Sequence, residues 1–148
     1  MRRFGFFLSI CLAIPAAADP RPNHSLQEAI LSGDLPRAQS AIMAGADLTH
    51  RDYLGRTPLI QACAFSSAPM VRLIAKKNFY AIDLGDGAGQ TPLMLACVYG
   101  NLSAVKVLLE LKAEVHKTSR YGATALSLAQ KYARDEIQAL LLSADAVK

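Results

Sequence analysis

The side chains able to do chemistry are few in this chain, and their spacing argues against most of the chemistry they suggest. The segment Asp83-Leu84-Gly85-Asp86-Gly87-Ala88-Gly89 sets two carboxylates among glycines, the raw material of a calcium loop or of a backbone cradle for phosphate. A calcium loop needs an ordered series of oxygen ligands closed by a glutamate, and none follows here. A phosphate loop needs a strand before it and a helix opening on it, a context the flanking residues do not supply. The segment reads most simply as a long hairpin whose glycines supply positive φ. His24, His50 and His116 fall in separate stretches of the chain without the spacing of metal ligands. No serine or cysteine stands in a nucleophile motif. The residues point to no enzyme, no cofactor and no metal.

What the chain does repeat is a way of starting a helix. Gly55-Arg56-Thr57-Pro58-Leu59-Ile60-Gln61-Ala62 recurs as Gly89-Gln90-Thr91-Pro92-Leu93-Met94-Leu95-Ala96. It recurs more weakly as Gly122-Ala123-Thr124-Ala125-Leu126-Ser127-Leu128-Ala129, with the glycines 34 and then 33 residues apart. Threonine is placed to cap each helix, and in the first two copies proline fills the first turn, where no N–H partner is needed. Leu59, Ala62, Leu93 and Ala96 then share one face at i, i+3 spacing. Second helices are expected over about 69–76 and 102–111, with Val71, Leu73, Ile74, Val105, Val107, Leu108 and Leu109 as core. An earlier unit lacks this start. Ser25-Leu26-Gln27-Glu28 opens it as a capping box, Ala29 stands 33 residues before Ala62, and its second helix follows Gly33-Asp34-Leu35 and closes at Gly45. The last unit ends on Ile137, Leu140, Leu141 and Leu142 and looks like a cap. Such units cannot bury their own apolar faces and must stack, so the 52% apolar content is read mostly as core between them.

In period, in its Thr-Pro-Leu-x-x-Ala cores and in the Gly45-Ala46-Asp47-Leu48 exit, the stretch 25–142 resembles an ankyrin-repeat domain. The resemblance implies an all-α solenoid of about four helix-turn-helix units joined by β-hairpin-like loops, over 25–54, 55–88, 89–121 and 122–142. A short linker, 19–24, precedes it and a polar tail, 143–148, follows. The second unit departs from the pattern with Asn78-Phe79-Tyr80 and one extra residue at its exit, and the fourth lacks the proline. Ankyrin domains bind proteins through hairpin tips and the concave face of the inner helices. Carried onto this chain, that face holds a column of Ser32, Phe65, Tyr99 and Tyr132, with Lys131 beside the last ring. Arg51, Tyr53, Leu54, Arg56, Arg120 and Tyr121 fall on the hairpins. Aromatics and arginines anchor interfaces most often, so Phe65, Tyr99 and Tyr132 are expected to carry binding and Arg56 and Arg120 to orient the partner. The competing reading packs the three rings over the helix ends as core. Arg72, Lys76, Lys77, Lys106 and Lys112 are assigned to the opposite, solvated side. Cys63 and Cys97 hold one position in successive units. Neighbouring helices pack about 8–10 Å apart, beyond the roughly 7 Å a disulfide tolerates, so both are expected as buried residues in place of alanine.

The first residues have another character. Arg2-Arg3, an apolar run from Phe4 to Ile14, Pro15, and Ala16-Ala17-Ala18 ahead of Asp19 follow the order of a cleavable secretory leader. Its apolar run falls short of the roughly 20 residues needed to span a bilayer. Cleavage after residue 18 removes Arg2 and Arg3 and lowers the formal charge from +4 to +2. No basic run exceeds Lys76-Lys77, so neither nucleic acid nor, after cleavage, a membrane is an expected partner. The expected molecule is a periplasmic or secreted monomer that binds another exported protein, similar to small exported bacterial ankyrin proteins that act on partner enzymes. The partner is either an enzyme it supports, such as a catalase, or a secreted or cell-wall hydrolase it inhibits as an immunity protein. A host-directed effector is the further alternative.

Overall fold

In three units the inner helix starts on a threonine. The structure, a computed structural model, describes residues 21–145. The leader, residues 19 and 20 of the linker and 146–148 of the tail lie outside the described residues. Helices α3 (Pro58–Phe65), α5 (Pro92–Tyr99) and α7 (Ala125–Lys131) follow Thr57, Thr91 and Thr124. Their hydroxyls accept the amides of Ile60 at 3.4 Å, Met94 at 3.3 Å and Ser127 at 3.1 Å. Helix α7 has no proline at its start. There the Thr124 amide donates to Ser127 Oγ at 2.9 Å, closing a capping box that satisfies a second orphan amide.

The first unit starts earlier than its serine suggested. Helix α1 runs Pro22–Ser32, with proline in its first turn, where fixed φ favours helix. Ser25 therefore lies inside the helix, buried, and accepts from Arg37 Nε at 3.4 Å, while Glu28 pairs with the Arg37 guanidinium. The expected Ser25–Glu28 capping box does not form.

The outer helices are α2 (Leu35–Met43), α4 (Ala68–Lys77), α6 (Leu102–Glu110) and α8 (Asp135–Asp145). Asp34 and Asn101 cap α2 and α6 by accepting from Arg37 N at 3.0 Å and Ala104 N at 3.1 Å. Helix α8 continues to Asp145, so residues 143–145 are helical rather than tail, and Leu142 turns outward instead of joining the core. Leu73 and Leu109 pack at its edge, partly buried. The extra residue at the second unit's exit is taken up by a 3-10 turn, Phe79–Asp83, which leaves Phe79 and Tyr80 exposed.

Inner helices touch in the order α1, α3, α5, α7 and outer helices in the order α2, α4, α6, α8. Among the described residues there are eight α-helices and no strand, as expected of the solenoid. The alanine column Ala29, Ala62, Ala96 and Ala129 is fully buried, beside Leu26, Leu59 and Leu93. Each unit thus buries its apolar face against its neighbours. No helix among the described residues is long and apolar enough to cross a membrane.

Candidate protein-binding face

Each hairpin closes on two backbone bonds, one of them from Gly55, Gly89 or Gly122 N–H to the carbonyl of Asp52, Asp86 or Ser119 at 2.9, 2.9 or 3.0 Å. Asp52, Asp86 and Ser119 donate their amides to the carbonyls of Arg56 at 3.0 Å, Gln90 at 3.0 Å and Ala123 at 2.9 Å. The same three side chains turn back onto their own loops. Asp52 Oδ1 accepts the Leu54 and Arg56 amides and Asp86 Oδ1 the Ala88 and Gln90 amides, all at 2.9 Å. Ser119 Oγ accepts from Tyr121 at 3.3 Å and Ala123 at 3.2 Å. Asp83 Oδ1 accepts the Glu114 amide at 2.9 Å. The aspartates among the glycines therefore serve the hairpins and their neighbours, and no cluster of metal-ligating side chains occurs among the described residues.

Adjacent hairpins are joined edge to edge by Gly87 N–H to Leu54 O and Arg120 N–H to Ala88 O, both at 3.0 Å. A Cβ on Gly87 would lie 2.9 Å from the Leu54 carbonyl oxygen, so this approach needs glycine. Arg51 Nη1 bridges two hairpins by donating to Gly55 O at 2.6 Å and Gly85 O at 2.7 Å. The tips carry Tyr53, Leu54, Arg120 and Tyr121, all exposed. The Arg120 side chain has no hydrogen bond or ion pair among the described residues. Arg56 faces inward. Its Nε donates to Asp52 Oδ2 at 2.9 Å, with the two side chains only 16% and 9% exposed, so its guanidinium supports the hairpin instead of reaching toward a partner. Gln61 Nε2 adds a bond to the same oxygen at 3.0 Å. Burial alone would raise the Asp52 carboxyl, but the Arg56 amide, Gln61 and the Arg56 guanidinium outweigh it and hold it below its ordinary value.

The aromatic column sits at the other end of the inner helices. Phe65 and Tyr99 are the last residues of α3 and α5, and Tyr132 caps α7. They are 48%, 46% and 43% exposed. The Phe65 and Tyr99 rings meet edge to face, with centroids 5.1 Å apart and planes at 60°. Lys131 Nζ lies 5.6 Å over the Tyr132 ring, a cation–π distance. In the first unit Ser32 takes the column position and bonds back to Glu28 O at 2.9 Å. Its neighbour Leu31, which the sequence reading missed, is 59% exposed.

Also missed was a ladder that holds these helix ends. Ser66 Oγ donates to Ile30 O at 2.6 Å, Asn101 Nδ2 to Cys63 O at 3.0 Å and Ser66 O at 2.8 Å, and Arg134 Nη2 to Val98 O at 3.2 Å. Each turn thereby reaches back one unit to carbonyls at the end of the preceding inner helix, where intrahelical partners run out. Only Asn101 and Arg134 share a register position, 33 residues apart, and their chemistry differs, so residue type gave little signal. The hairpin column of Asp52, Asp86 and Ser119 stands at spacings of 34 and 33 and was readable.

Cys63 and Cys97 are free and buried. Burial pushes both thiols up, Cys97 to about 12, so neither supplies a thiolate near neutral pH.

A family model described as ankyrin repeats in three copies matches residues 26–119 and 88–148. The chain belongs to the ankyrin-repeat family. No curated protein matched it. Stacked repeats of this kind form protein–protein interaction modules.

Proposed function

We propose that this module acts as an exported monomer that binds and modulates or protects another exported protein through its concave, inner-helix face. The observation that carries the reading is the half-exposed column of Phe65, Tyr99 and Tyr132. An aromatic stripe left open to solvent marks a contact site, whereas core rings would be covered. The leader pattern of residues 1–18 supports export to the periplasm or beyond.

The test is an in-cell crosslink and pull-down with tagged protein beside a Phe65→Ala/Tyr99→Ala/Tyr132→Ala variant checked for folding. A partner captured by the wild type and lost from the variant supports the reading. Each true anchor contributes about 2–4 kcal/mol to affinity. Equal capture by both proteins moves the interface elsewhere. Mass measurement of the exported protein tests the leader, with Asp19 expected as the first residue.

A further inference from the structure

We infer that the partner presents an acidic segment carrying an apolar or aromatic residue, an inference that rests on the proposed role of the inner-helix face. The exposed charges on the hairpins and beside the last ring are basic, whereas the acidic residues at the other ends of the inner helices, Asp34, Asp135 and Glu136, sit at the starts of outer helices. Arg120 is exposed on its hairpin, Arg51 is exposed while its Nη1 bridges the Gly55 and Gly85 carbonyls, and Lys131 is exposed beside Tyr132. Arg134 is half-buried behind the aromatic row, its Nε enclosed without an acceptor. The hairpin carboxylates are directed inward, Asp52 to the Leu54 and Arg56 amides and the Arg56 guanidinium, Asp86 to the Ala88 and Gln90 amides. In the hairpin that carries Arg120 and Tyr121 a serine, Ser119, replaces the aspartate altogether. Asp135, next to Arg134 in sequence, opens α8 and accepts from Gln138 Nε2 at 3.4 Å.

An incoming surface therefore meets ammonium and guanidinium groups with rings between them, and hairpin carboxylates already engaged. A neutral or basic segment docking here would bury these cations without a counter-charge, which is costly. Acidic side chains pair with them and speed encounter. The rows lie at opposite ends of eight-residue helices, a rise of about 12 Å, so one segment lying along an inner helix reaches both.

The experiment selects a phage-displayed random peptide library against the purified protein, then measures the enriched peptides by fluorescence anisotropy. Enriched peptides are expected to be net negative with an aromatic or large aliphatic residue. Their affinity is expected to fall as salt shortens the Debye length below about 10 Å. Arg120→Glu/Lys131→Glu should weaken them about tenfold or more, and Arg120→Gln/Lys131→Gln by less, with melting curves showing that both variants fold. Neutral or basic peptides that ignore salt yet are lost in the Phe65→Ala/Tyr99→Ala/Tyr132→Ala variant would overturn the acidic partner and leave the face intact. Peptides that bind that variant as well as they bind the wild type would overturn the face itself.

Discussion

Asp52, Asp86 and Ser119 occupy one position in successive hairpins, and each satisfies two amides of its own turn. Asp52 does most, because it also holds Arg56 and Gln61. Replacing it, Asp52→Ala, is expected to cost about 1–2 kcal/mol by leaving part-buried donors of Arg56 and Gln61 unpaired, read as a lower urea midpoint. Its carboxyl is held below the ordinary 3.8 in the folded chain. A carboxyl lowered by folding contributes stability that is full above its unfolded pKa and is lost as pH falls through its folded one. Melting curves should therefore drop in acid, below about pH 4, and drop less steeply in Asp52→Ala. Two other residues carry strain. Lys112 at φ 64° and Ala133 at φ 50° adopt the left-handed conformation, at register positions that Gly45 and Gly100 fill in other units. Lys112→Gly and Ala133→Gly should each stabilise by about 0.5–1 kcal/mol, the relief of αL strain less the entropy glycine loses on folding. Chemical denaturation of the single variants checks this.

Between elements, stability rests on close packing of inner helices and on bonds at their ends. Ala96 is fully buried in the alanine column, so Ala96→Leu should overpack by about 1–3 kcal/mol. An unchanged melting midpoint would show that the column does not face its neighbours. Asn101 both caps α6 and ties down the Cys63 and Ser66 carbonyls. Asn101→Ala should cost about 2–3 kcal/mol, combining a lost cap with unpaired acceptors, and hydrogen exchange should rise in α6 first. Helix starts differed in how well they could be read. Thr57 and Thr91 with their prolines state the boundary locally, and Thr124 keeps it without proline through Ser127. In α1 the sequence pattern put the start at Ser25, three residues past its place in the structure at Pro22. Packing of Ser25 beside Arg37 goes with the earlier one, a contact between helices that no local pattern encodes.

At the scale of the whole molecule, folding and binding are expected to separate. The rings of Phe65, Tyr99 and Tyr132 are about half exposed, so truncating all three should lower the melting midpoint much less than Ala96→Leu does, while removing partner binding. A collapse of the fold in the triple variant would assign the rings to the core. The architecture and the place of the aromatic column were legible because caps, prolines and apolar spacing act within a few residues and recur at 34 and 33. The direction of individual charges was not. Arg56 and Arg120 both fall on hairpins in the sequence, yet Arg56 turns in onto Asp52 while Arg120 remains exposed. Ser119 in place of an aspartate left Arg120 no such carboxylate in its own hairpin. By itself the sequence determined the period, the helix pairs and the residues at the edge of the stack. Tertiary structure alone decided which of them are engaged inside the molecule and which stay open to another, because that depends on how each hairpin turns its side chains, inward onto its own carboxylate as Arg56 does or across to the next repeat as Arg51 does.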